Sequence, residues 1–212
     1  MKLLFIGNSH TYYHAMPYQC RALLAACNIE ADVAQVVAPG KSLRWHGTNP
    51  ETIQTLQYNV WDHVILQQAT HPFAGTKPLM EGVKGLRQLM PAKQSIWLYK
   101  TWCEKDIPKN EAKIDRAFAA VSKDLDIPII PVADVWHEVE HRDPGHNLYD
   151  ADGKHAGPNG SYLTALCMTR AISGKSVQGL PAVVEYNNQI INTVSQKTAS
   201  LYQSLVDVGI HT

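Results

Sequence analysis

A serine close to the N-terminus and an Asp–His pair far downstream have the residue types that nucleophilic catalysis needs. Ser9 follows an apolar run and ends the triplet Gly-Asn-Ser, and Asp152 and His155 lie three residues apart. A serine hydroxyl is a weak nucleophile until a histidine accepts its proton, and the histidine needs a third group to hold it in one tautomer. We therefore predict acyl-transfer chemistry, with Ser9 as the nucleophile, His155 as the base and Asp152 as the residue that orients the base.

Each of these residues also has a plainer interpretation. A serine after Gly-Asn could cap a helix or a turn, and an aspartate followed by glycine, as at Asp152, is a turn signal. A single loop histidine such as His155 more often faces solvent. Asp150 competes with Asp152 for the orienting role, because it lies only two residues earlier. The prediction therefore depends on the three residues occurring together and in this order.

Strand-like segments alternate with helical ones along the chain, and they must bring these residues to one place. We predict strands over residues 2–7, 31–37, 62–67, 94–99 and 127–132, and helices over residues 15–28, 50–59, 78–90, 109–125 and 158–173. The alternation predicts a three-layer α/β/α sandwich with a central, mostly parallel sheet. Ligands bind beyond the carboxyl ends of such strands. Ser9, Gly40 and Gln67 each follow or end one of the first three strands, so we expect them at one edge.

The C-terminal segment has a pattern of its own. Apolar residues from Val184 to Val208 recur at three- and four-residue steps, which predicts one long amphipathic helix over about residues 182–207. We expect this helix to pack on the rest of the chain, and self-association through it, giving a homo-oligomer, is the alternative. A length of 212 residues suits a single domain over residues 1–212.

The two segments that carry Ser9, Asp152 and His155 resemble the SGNH (GDSL-type) hydrolase superfamily, in particular the branch whose first block reads Gly-Asn-Ser-x-Thr. In that family the serine of the first block is the nucleophile, and a last block of the form Asp-x-x-His supplies the other two residues. The resemblance implies a flavodoxin-like sheet of five strands and the hydrolysis of esters, often of acetyl groups on carbohydrates. The chemistry requires neither a metal nor an organic cofactor.

The resemblance also implies the groups that stabilise the tetrahedral oxyanion. Gly40 matches the lone glycine of the family's second block. The third block normally contains an asparagine, which this chain lacks, and Gln67 is the residue that stands in its place. The implied oxyanion hole consists of the backbone N–H groups of Ser9 and Gly40 and the side-chain amide of Gln67. Gln68 must then point to the opposite face, because strand side chains alternate.

The charge balance and hydropathy of the chain argue against two classes of partner, nucleic acids and membranes. The chain has 19 basic and 19 acidic residues, well mixed along its length, and has no apolar run of membrane-spanning length. We therefore expect a small-molecule ester as substrate, and neither a nucleic acid nor a membrane as a partner. The 4 cysteines have no metal-ligand spacing. We predict reduced, mostly buried thiols and a cytoplasmic protein.

The chain also contains the zinc-binding pattern His-Glu-x-x-His. His137 and His141 would hold the metal on one face of a helix, and Glu138 would be the general base of a zinc metallohydrolase. A pattern with three fixed positions arises easily by chance. An extended zinc motif would also need glycine and histidine where the chain has Pro144 and Asn147. We therefore rank this interpretation below the serine hydrolase and predict no metal site.

A non-catalytic carbohydrate-binding relative is the second alternative, because a fold does not by itself confer activity. Aromatic rings with polar neighbours suit a sugar ring, although core packing is the plainer role for any one of them. The candidate aromatic residues near the predicted edge are Tyr12, Tyr13, Trp45, Phe73 and Trp102. The missing asparagine favours such a binder weakly, whereas the set of Ser9, Asp152 and His155 favours an enzyme.

Overall fold

A parallel sheet of five strands forms the centre of the molecule. The computed structural model describes residues 1–91 and 94–210. The strands are β1 (Lys2–Gly7), β2 (Asp32–Val37), β3 (His63–Gln67), β4 (Ser95–Tyr99) and β5 (Ile129–Ile130). Their order in the sheet is β2-β1-β3-β4-β5, and every neighbouring pair is parallel. This is the flavodoxin-like order, which confirms the predicted topology.

Helices cover both faces of the sheet. They are α1 (Ser9–Tyr12), α2 (Met16–Ala26), α3 (Leu43–His46), α4 (Pro50–Tyr58), α5 (Thr76–Leu89), α6 (Glu111–Leu125), α7 (Val132–Arg142), α8 (Pro158–Ser173) and α9 (Gln196–Gly209). Short 3₁₀ turns occupy Tyr13–Ala15 and Pro108–Asn110. One hydrophobic core contains side chains of α2, α7, α8 and α9, and the other contains side chains of α3, α4, α5 and α6. The predicted three-layer α/β/α sandwich is therefore confirmed.

Strand β1 shows why the sequence folds this way. Leu3 and Phe5 face the first core, and Leu4 and Ile6 face the second. All four are 0% exposed. A strand that is buried on both faces reads as a continuous apolar run, which is the pattern of a parallel sheet covered on both sides. The central position of β1 therefore follows from its composition, and it carries the chain directly to Ser9.

The C-terminal part of the chain differs from the prediction of one long helix. Two antiparallel strands, β6 (Val183–Tyr186) and β7 (Gln189–Thr193), form a hairpin before α9 begins. Asn187 and Asn188 make the turn with φ of 51° and 62°. Two adjacent left-handed residues build the hairpin turn that asparagine tolerates best. The helix predicted over residues 182–207 is therefore wrong in its first half, because the asparagine pair favours a turn.

Two further expectations concern the thiols and membrane spans. All four cysteines, Cys20, Cys27, Cys103 and Cys167, are free and buried, as predicted. Within the described ranges, no helix has both the length and the apolar character that a membrane crossing requires.

Candidate active site

Ser9 lies where the chain turns from β1 into α1, at the carboxyl edge of the sheet. Asn8 is the N-cap of this short helix, and its side chain accepts a hydrogen bond from the His10 backbone N–H at 3.1 Å. Asparagine caps a helix in this way because its backbone stays extended while its side chain satisfies a free N–H. The Gly-Asn-Ser turn therefore places Ser9 at the carboxyl edge of the sheet, where it is half-buried.

The loop between α7 and α8 brings Asp152 and His155 to the same edge. Asp152 Oδ1 accepts hydrogen bonds from the backbone N–H groups of Lys154 and His155, both at 2.9 Å. Gly153 has φ +66°, which lets the chain turn tightly between them. The His155 carbonyl accepts from the Asp150 N–H at 2.8 Å and closes the loop. An aspartate that bonds its own following backbone thus fixes the loop from which His155 projects.

The three predicted residues form one hydrogen-bonded chain. His155 Nε2 lies 2.7 Å from Ser9 Oγ, and His155 Nδ1 lies 2.5 Å from Asp152 Oδ2. A carboxylate only accepts, so Nδ1 carries the proton and Nε2 is free to accept from the serine hydroxyl. Ser9 and His155 are 146 residues apart in the sequence, so the tertiary fold alone brings them together.

The charge of Asp152 is stabilised locally. Partial burial alone would raise the pKa of its carboxyl group. The hydrogen bonds from the His155 ring and from the backbone N–H groups of His155 and Lys154 outweigh that effect and hold the pKa well below its usual range. Asp152 therefore stays ionised at any pH near neutrality and can accept the hydrogen bond from Nδ1–H.

Asp150, the competing candidate, has a different partner. Its Oδ1 accepts from the Ala151 N–H at 2.7 Å, and its Oδ2 lies 3.6 Å from His14 Nε2. Its side chain therefore faces His14 at the rim of the site, and the orienting position next to His155 belongs to Asp152.

The imidazole of His155 is stacked between two other rings. Its ring centroid lies 4.1 Å from that of Tyr13, with 19° between the planes, and 4.7 Å from that of His10, with 22° between the planes. His10 is buried, and burial together with the nearby rings of His71 and His155 holds its pKa well below its usual value of 6.5. His10 is therefore neutral beside the base. The sequence patterns pointed to Tyr13 only as one of several aromatic residues and to His10 not at all.

A buried polar group lies behind His10. The His71 ring is 4.3 Å from the His10 ring, and His71 Nε2 is 4.0 Å from Glu104 Oε2. Burial lowers the pKa of His71 despite the neighbouring carboxylate. His71 is therefore a neutral ring that packs against the wall of the site, and it has no sequence motif that could have identified it.

Gln67 makes hydrogen bonds beneath the serine turn. Its Oε1 accepts from the Asn8 backbone N–H at 2.7 Å and from the Thr11 hydroxyl at 3.1 Å, and its Nε2 donates to the Gln68 carbonyl at 2.6 Å. The buried amide therefore satisfies polar groups at the end of a buried strand. The role of Gln67 as an oxyanion donor stays a prediction.

Gln68 points to the other face of the sheet, as the alternation of strand side chains predicts. Its Oε1 accepts from the Leu43 backbone N–H at 3.0 Å, in the layer of α3. Its buried Nε2 has no hydrogen-bond partner among the residues that the structure describes. Gln68 thus anchors the segment that follows Gly40.

The Gly40 loop is tied to the serine turn through its neighbour. Asn8 Nδ2 donates to the Lys41 carbonyl at 3.3 Å. Gly40 itself has φ +68°, and a Cβ built on it would meet no atom within 4 Å. The left-handed backbone favours glycine, and the space beside Gly40 is open. The role of its N–H group as an oxyanion donor stays a prediction.

The His-Glu-x-x-His segment lies on α7, as a zinc site would require, but its first histidine is engaged elsewhere. His137 Nε2 lies 3.1 Å from Glu111 Oε2, and its Nδ1 lies 2.9 Å from Glu140 Oε2. These two carboxylates outweigh the effect of burial and raise the pKa of His137 to about 9. Across the described chain, no group of three or more His, Cys, Asp or Glu side chains is placed to hold a metal ion. The pattern is therefore explained by a structural ion-pair cluster.

The candidate aromatic residues have different environments. Trp102 is fully buried and stacks on Trp136 with ring centroids 3.7 Å apart, so it belongs to the core rather than to a sugar platform. Its indole N–H donates to the Lys154 carbonyl at 2.9 Å, which supports the loop of His155. The ring of Tyr12 is half-buried and lies 5.6 Å from that of Tyr13.

The other two aromatic candidates lie in separate loops. Trp45 is half-buried in α3, with Lys41 Nζ 5.5 Å from the centroid of its ring. Phe73 is half-buried and packs against the core on the α5 and α6 side of the sheet. Phe73 therefore has the plainer packing role.

Comparison with known proteins identifies the fold. No protein-family model and no curated protein sequence matches the chain. A DUF4886 family protein from Bacteroides uniformis is 18% identical, with a TM-score of 0.80 over 99% of this chain and 94% of its own. A member of the lipolytic G-D-S-L family from Veillonella parvula is 15% identical, with a TM-score of 0.57 over 82% and 97%. The chain has the fold of the GDSL-type esterases.

A third similar structure with this GDSL-type fold is an acetyl xylan esterase. It is 12% identical, with a TM-score of 0.62 over 81% of this chain and 100% of its own. The resemblance to the SGNH (GDSL-type) superfamily inferred from the sequence is therefore confirmed for the fold, and the GDSL-type fold extends over most of the chain.

Proposed function

We propose that the protein is a serine esterase that hydrolyses small acyl esters, with O-acetyl groups on carbohydrates as the substrate class. The observation that carries the proposal is the unbroken chain from Ser9 Oγ through the His155 ring to Asp152, with contacts of 2.7 and 2.5 Å. Nucleophile, base and orienting group within hydrogen-bond reach are the signature of an activated serine. The arrangement stands at the strand edge where parallel sheets bind ligands.

The reaction proceeds in two halves. Ser9 Oγ attacks the acyl carbon while His155 Nε2 takes the hydroxyl proton, and Asp152 stabilises the imidazolium. The tetrahedral intermediate expels the alcohol, which receives the proton from Nε2, and leaves Ser9 acylated. Water then attacks the acyl-enzyme and gives its proton to Nε2. The second tetrahedral intermediate releases the carboxylic acid and restores the Ser9 hydroxyl.

Two backbone donors are proposed for the oxyanion. The Ser9 N–H is the first of α1 and has no acceptor within the helix, because the first N–H groups of a helix lack intrahelical partners. The Gly40 N–H comes from the loop that Asn8 ties to the serine turn. The side-chain amide of Gln67, which is engaged beneath the turn, stays a prediction as the third donor. Each donor that points at the developing charge contributes a rate factor of about 100 or more.

The carbohydrate part of the proposal is supported by the rings beside the base and by a structural neighbour. Tyr13 stacks on His155, and the half-buried ring of Tyr12 lies 5.6 Å from that of Tyr13. An aromatic ring such as that of Tyr12 suits the apolar face of a sugar. One of the similar structures is an acetyl xylan esterase. A panel of p-nitrophenyl esters with acyl chains of increasing length, followed by acetylated oligosaccharides, tests the preference for acetyl.

The deciding experiment is the Ser9→Ala variant with the exposed Ser204→Ala as its matched control. Ser9→Ala should keep its thermal stability and lose hydrolysis of p-nitrophenyl acetate by about 10⁴-fold or more, while Ser204→Ala keeps wild-type activity. A fluorophosphonate probe should label Ser9 alone. Wild-type protein that neither hydrolyses esters nor reacts with the probe would favour a carbohydrate-binding relative, and activity that a chelator abolishes would favour a zinc hydrolase.

A further inference from the structure

Tyr13 and His10 enclose the imidazole of His155 from its two faces. The ring centroids lie 4.1 Å and 4.7 Å from that of His155, and both rings are within about 20° of parallel to it. Two rings this close and this parallel could share one face only if they touched each other. Among the described aromatic contacts, Tyr13 and His10 do not. They therefore lie on opposite faces, and the base is held in a slot between them.

The backbone that delivers Tyr13 adopts an unfavourable conformation. Tyr13 is followed by His14 and Ala15, which have φ of 49° and 54°. Two successive residues with a Cβ in the left-handed region are rare, because the side chain crowds the following carbonyl. Such a conformation persists only where the surrounding structure holds it in place.

Three buried side chains from three elements hold this turn. Gln19 Nε2 donates to the His14 carbonyl at 2.6 Å and to Ser161 Oγ at 2.9 Å, and Ser161 Oγ donates to the Tyr13 carbonyl at 3.3 Å. Asn192 Nδ2 donates to Gln19 Oε1 at 3.0 Å. Buried polar groups in a core are costly unless they are satisfied, and here their bonds converge on the carbonyls of the turn. Side chains from α2, α8 and β7 together therefore hold the backbone of the turn that contains Tyr13.

The polar contacts of His155 leave one motion of its ring poorly restrained. Asp152 contacts Nδ1 and Ser9 contacts Nε2, so the two polar contacts fix the two nitrogens and leave the ring able to turn about the line that joins them. Tilt about that line changes neither distance, so hydrogen bonds resist it only through their weaker angular preference. A flat ring packed on each face removes this freedom.

We propose that Tyr13 is a positioning residue for the proposed esterase reaction: its ring holds the His155 imidazole in the plane that serves both Ser9 and Asp152, and stabilises the imidazolium that forms when Ser9 gives up its proton. The second effect is the attraction of a cation to an aromatic face. Both effects come from the ring and not from the hydroxyl group. The inference depends on the proposed function, because a base needs positioning only if it is used.

The test compares Tyr13→Leu with Tyr13→Phe, and with Tyr18→Leu as the matched control. Tyr18 is half-buried like Tyr13, but its ring lies against Tyr186, 4.8 Å away and outside the site. With p-nitrophenyl acetate as substrate, Tyr13→Leu should lower kcat by about 10- to 100-fold and leave KM within about twofold, as a misplaced catalytic group does. The variants Tyr13→Phe and Tyr18→Leu should each keep the wild-type kcat. The rate at which a fluorophosphonate labels Ser9 should fall in Tyr13→Leu and should stay at the wild-type level in Tyr13→Phe and Tyr18→Leu.

A second measurement needs no turnover. Nitrogen-15 NMR of the His155 imidazole reports its tautomer and hydrogen bonds, and Tyr13→Leu should change this spectrum while Tyr13→Phe and Tyr18→Leu leave it as in the wild type. Unaltered imidazole signals in Tyr13→Leu would overturn the inference. So would a raised KM at unchanged kcat, since Tyr13 would then bind substrate. If Ser9→Ala were as active as the wild type, the proposed function would fail instead, a result that the Tyr13 variants cannot produce.

Discussion

Gln67 Oε1 accepts the Asn8 backbone N–H at 2.7 Å and the Thr11 hydroxyl at 3.1 Å. One oxygen atom of β3 thus binds the turn on both sides of Ser9. A third hydrogen bond to this turn comes from His46 of α3, whose Nε2 lies 2.8 Å from the Gly7 carbonyl. Ser9 itself makes none of these bonds, so its position is set by its neighbours.

Replacing Gln67 should therefore affect stability first. Gln67→Ala leaves the buried Asn8 N–H and Thr11 hydroxyl without their acceptor, which costs about 1–3 kcal/mol in the free energy of unfolding. Gln57→Ala, at an exposed position of α4, is the control and should change it by less than about 0.5 kcal/mol. Urea denaturation measures both. A Gln67→Ala protein of full stability whose kcat falls at constant KM would instead support Gln67 as an oxyanion donor.

Gly7 lies in the most crowded position of the same turn. A Cβ at residue 7 would clash with Thr11 Oγ1 and would lie 2.5 Å from Gln67 Oε1. Gly7→Ala should therefore disrupt the hydrogen bonds that Gln67 makes with the serine turn, destabilise the protein by about 1–3 kcal/mol and reduce esterase activity. The control is Gly85→Ala in α5, where a Cβ meets no atom within 4 Å.

The control should move in the opposite direction. Alanine is a better helix former than glycine, so Gly85→Ala is expected to raise the stability by about 0.5–1 kcal/mol. Thermal unfolding followed by circular dichroism compares the two variants. Equal melting temperatures would contradict the crowding at Gly7.

The orienting role of Asp152 is tested against that of Asp150. Asp152→Asn keeps the size of the side chain but removes the charge and allows the wrong histidine tautomer, so kcat should fall by about 10³- to 10⁴-fold. Asp150→Asn, which loses only its contact with His14, should keep kcat within about threefold. Steady-state kinetics on p-nitrophenyl acetate distinguish them, and equal losses would reverse the assignment.

His137 should make stability depend on pH. Its pKa is raised to about 9 by Glu111 and Glu140, above an unfolded value of about 6.5. The stabilisation is therefore fully present below about pH 6.5 and is lost as the pH rises through about 9. The difference in unfolding free energy between wild type and His137→Gln should shrink between about pH 6 and pH 10. The exposed His141→Gln is the control, and a difference that grows with pH would refute the ion-pair assignment.

The strands, helices and turns that position the site could be predicted from the sequence, because local patterns determine these elements. The helix predicted over residues 158–173 has the observed bounds of α8, and the helix predicted over residues 50–59 begins at Pro50, where Asn49 caps it and accepts from the Thr52 N–H at 3.0 Å. β1 was recognised from its uninterrupted apolar run. Periodicity, caps and turn residues are local signals, and they sufficed to place Ser9 at a strand end and Asp152 in a turn.

What the sequence did not reveal depends on contacts between distant segments. Gln67 was assigned to the oxyanion because a strand-end amide can donate, yet its orientation depends on Asn8 and Thr11 of the neighbouring turn. The stack of His10, His155 and Tyr13 joins residues from opposite ends of the chain. The C-terminal segment contains two competing local patterns, and the turn formed by Asn187 and Asn188 prevails over the three- and four-residue spacing of its apolar residues.

The separation of Ser9 from its base in the chain has a consequence for biosynthesis. Ser9 leaves the ribosome before His155, which follows 146 residues later. Until the segment before α8 has been translated and has docked against β1, the serine hydroxyl has no proton acceptor and reacts no faster than a free alcohol. Under the proposed mechanism, a nascent chain therefore has no esterase activity, and the appearance of activity in a translation reaction would report folding rather than the amount of polypeptide made.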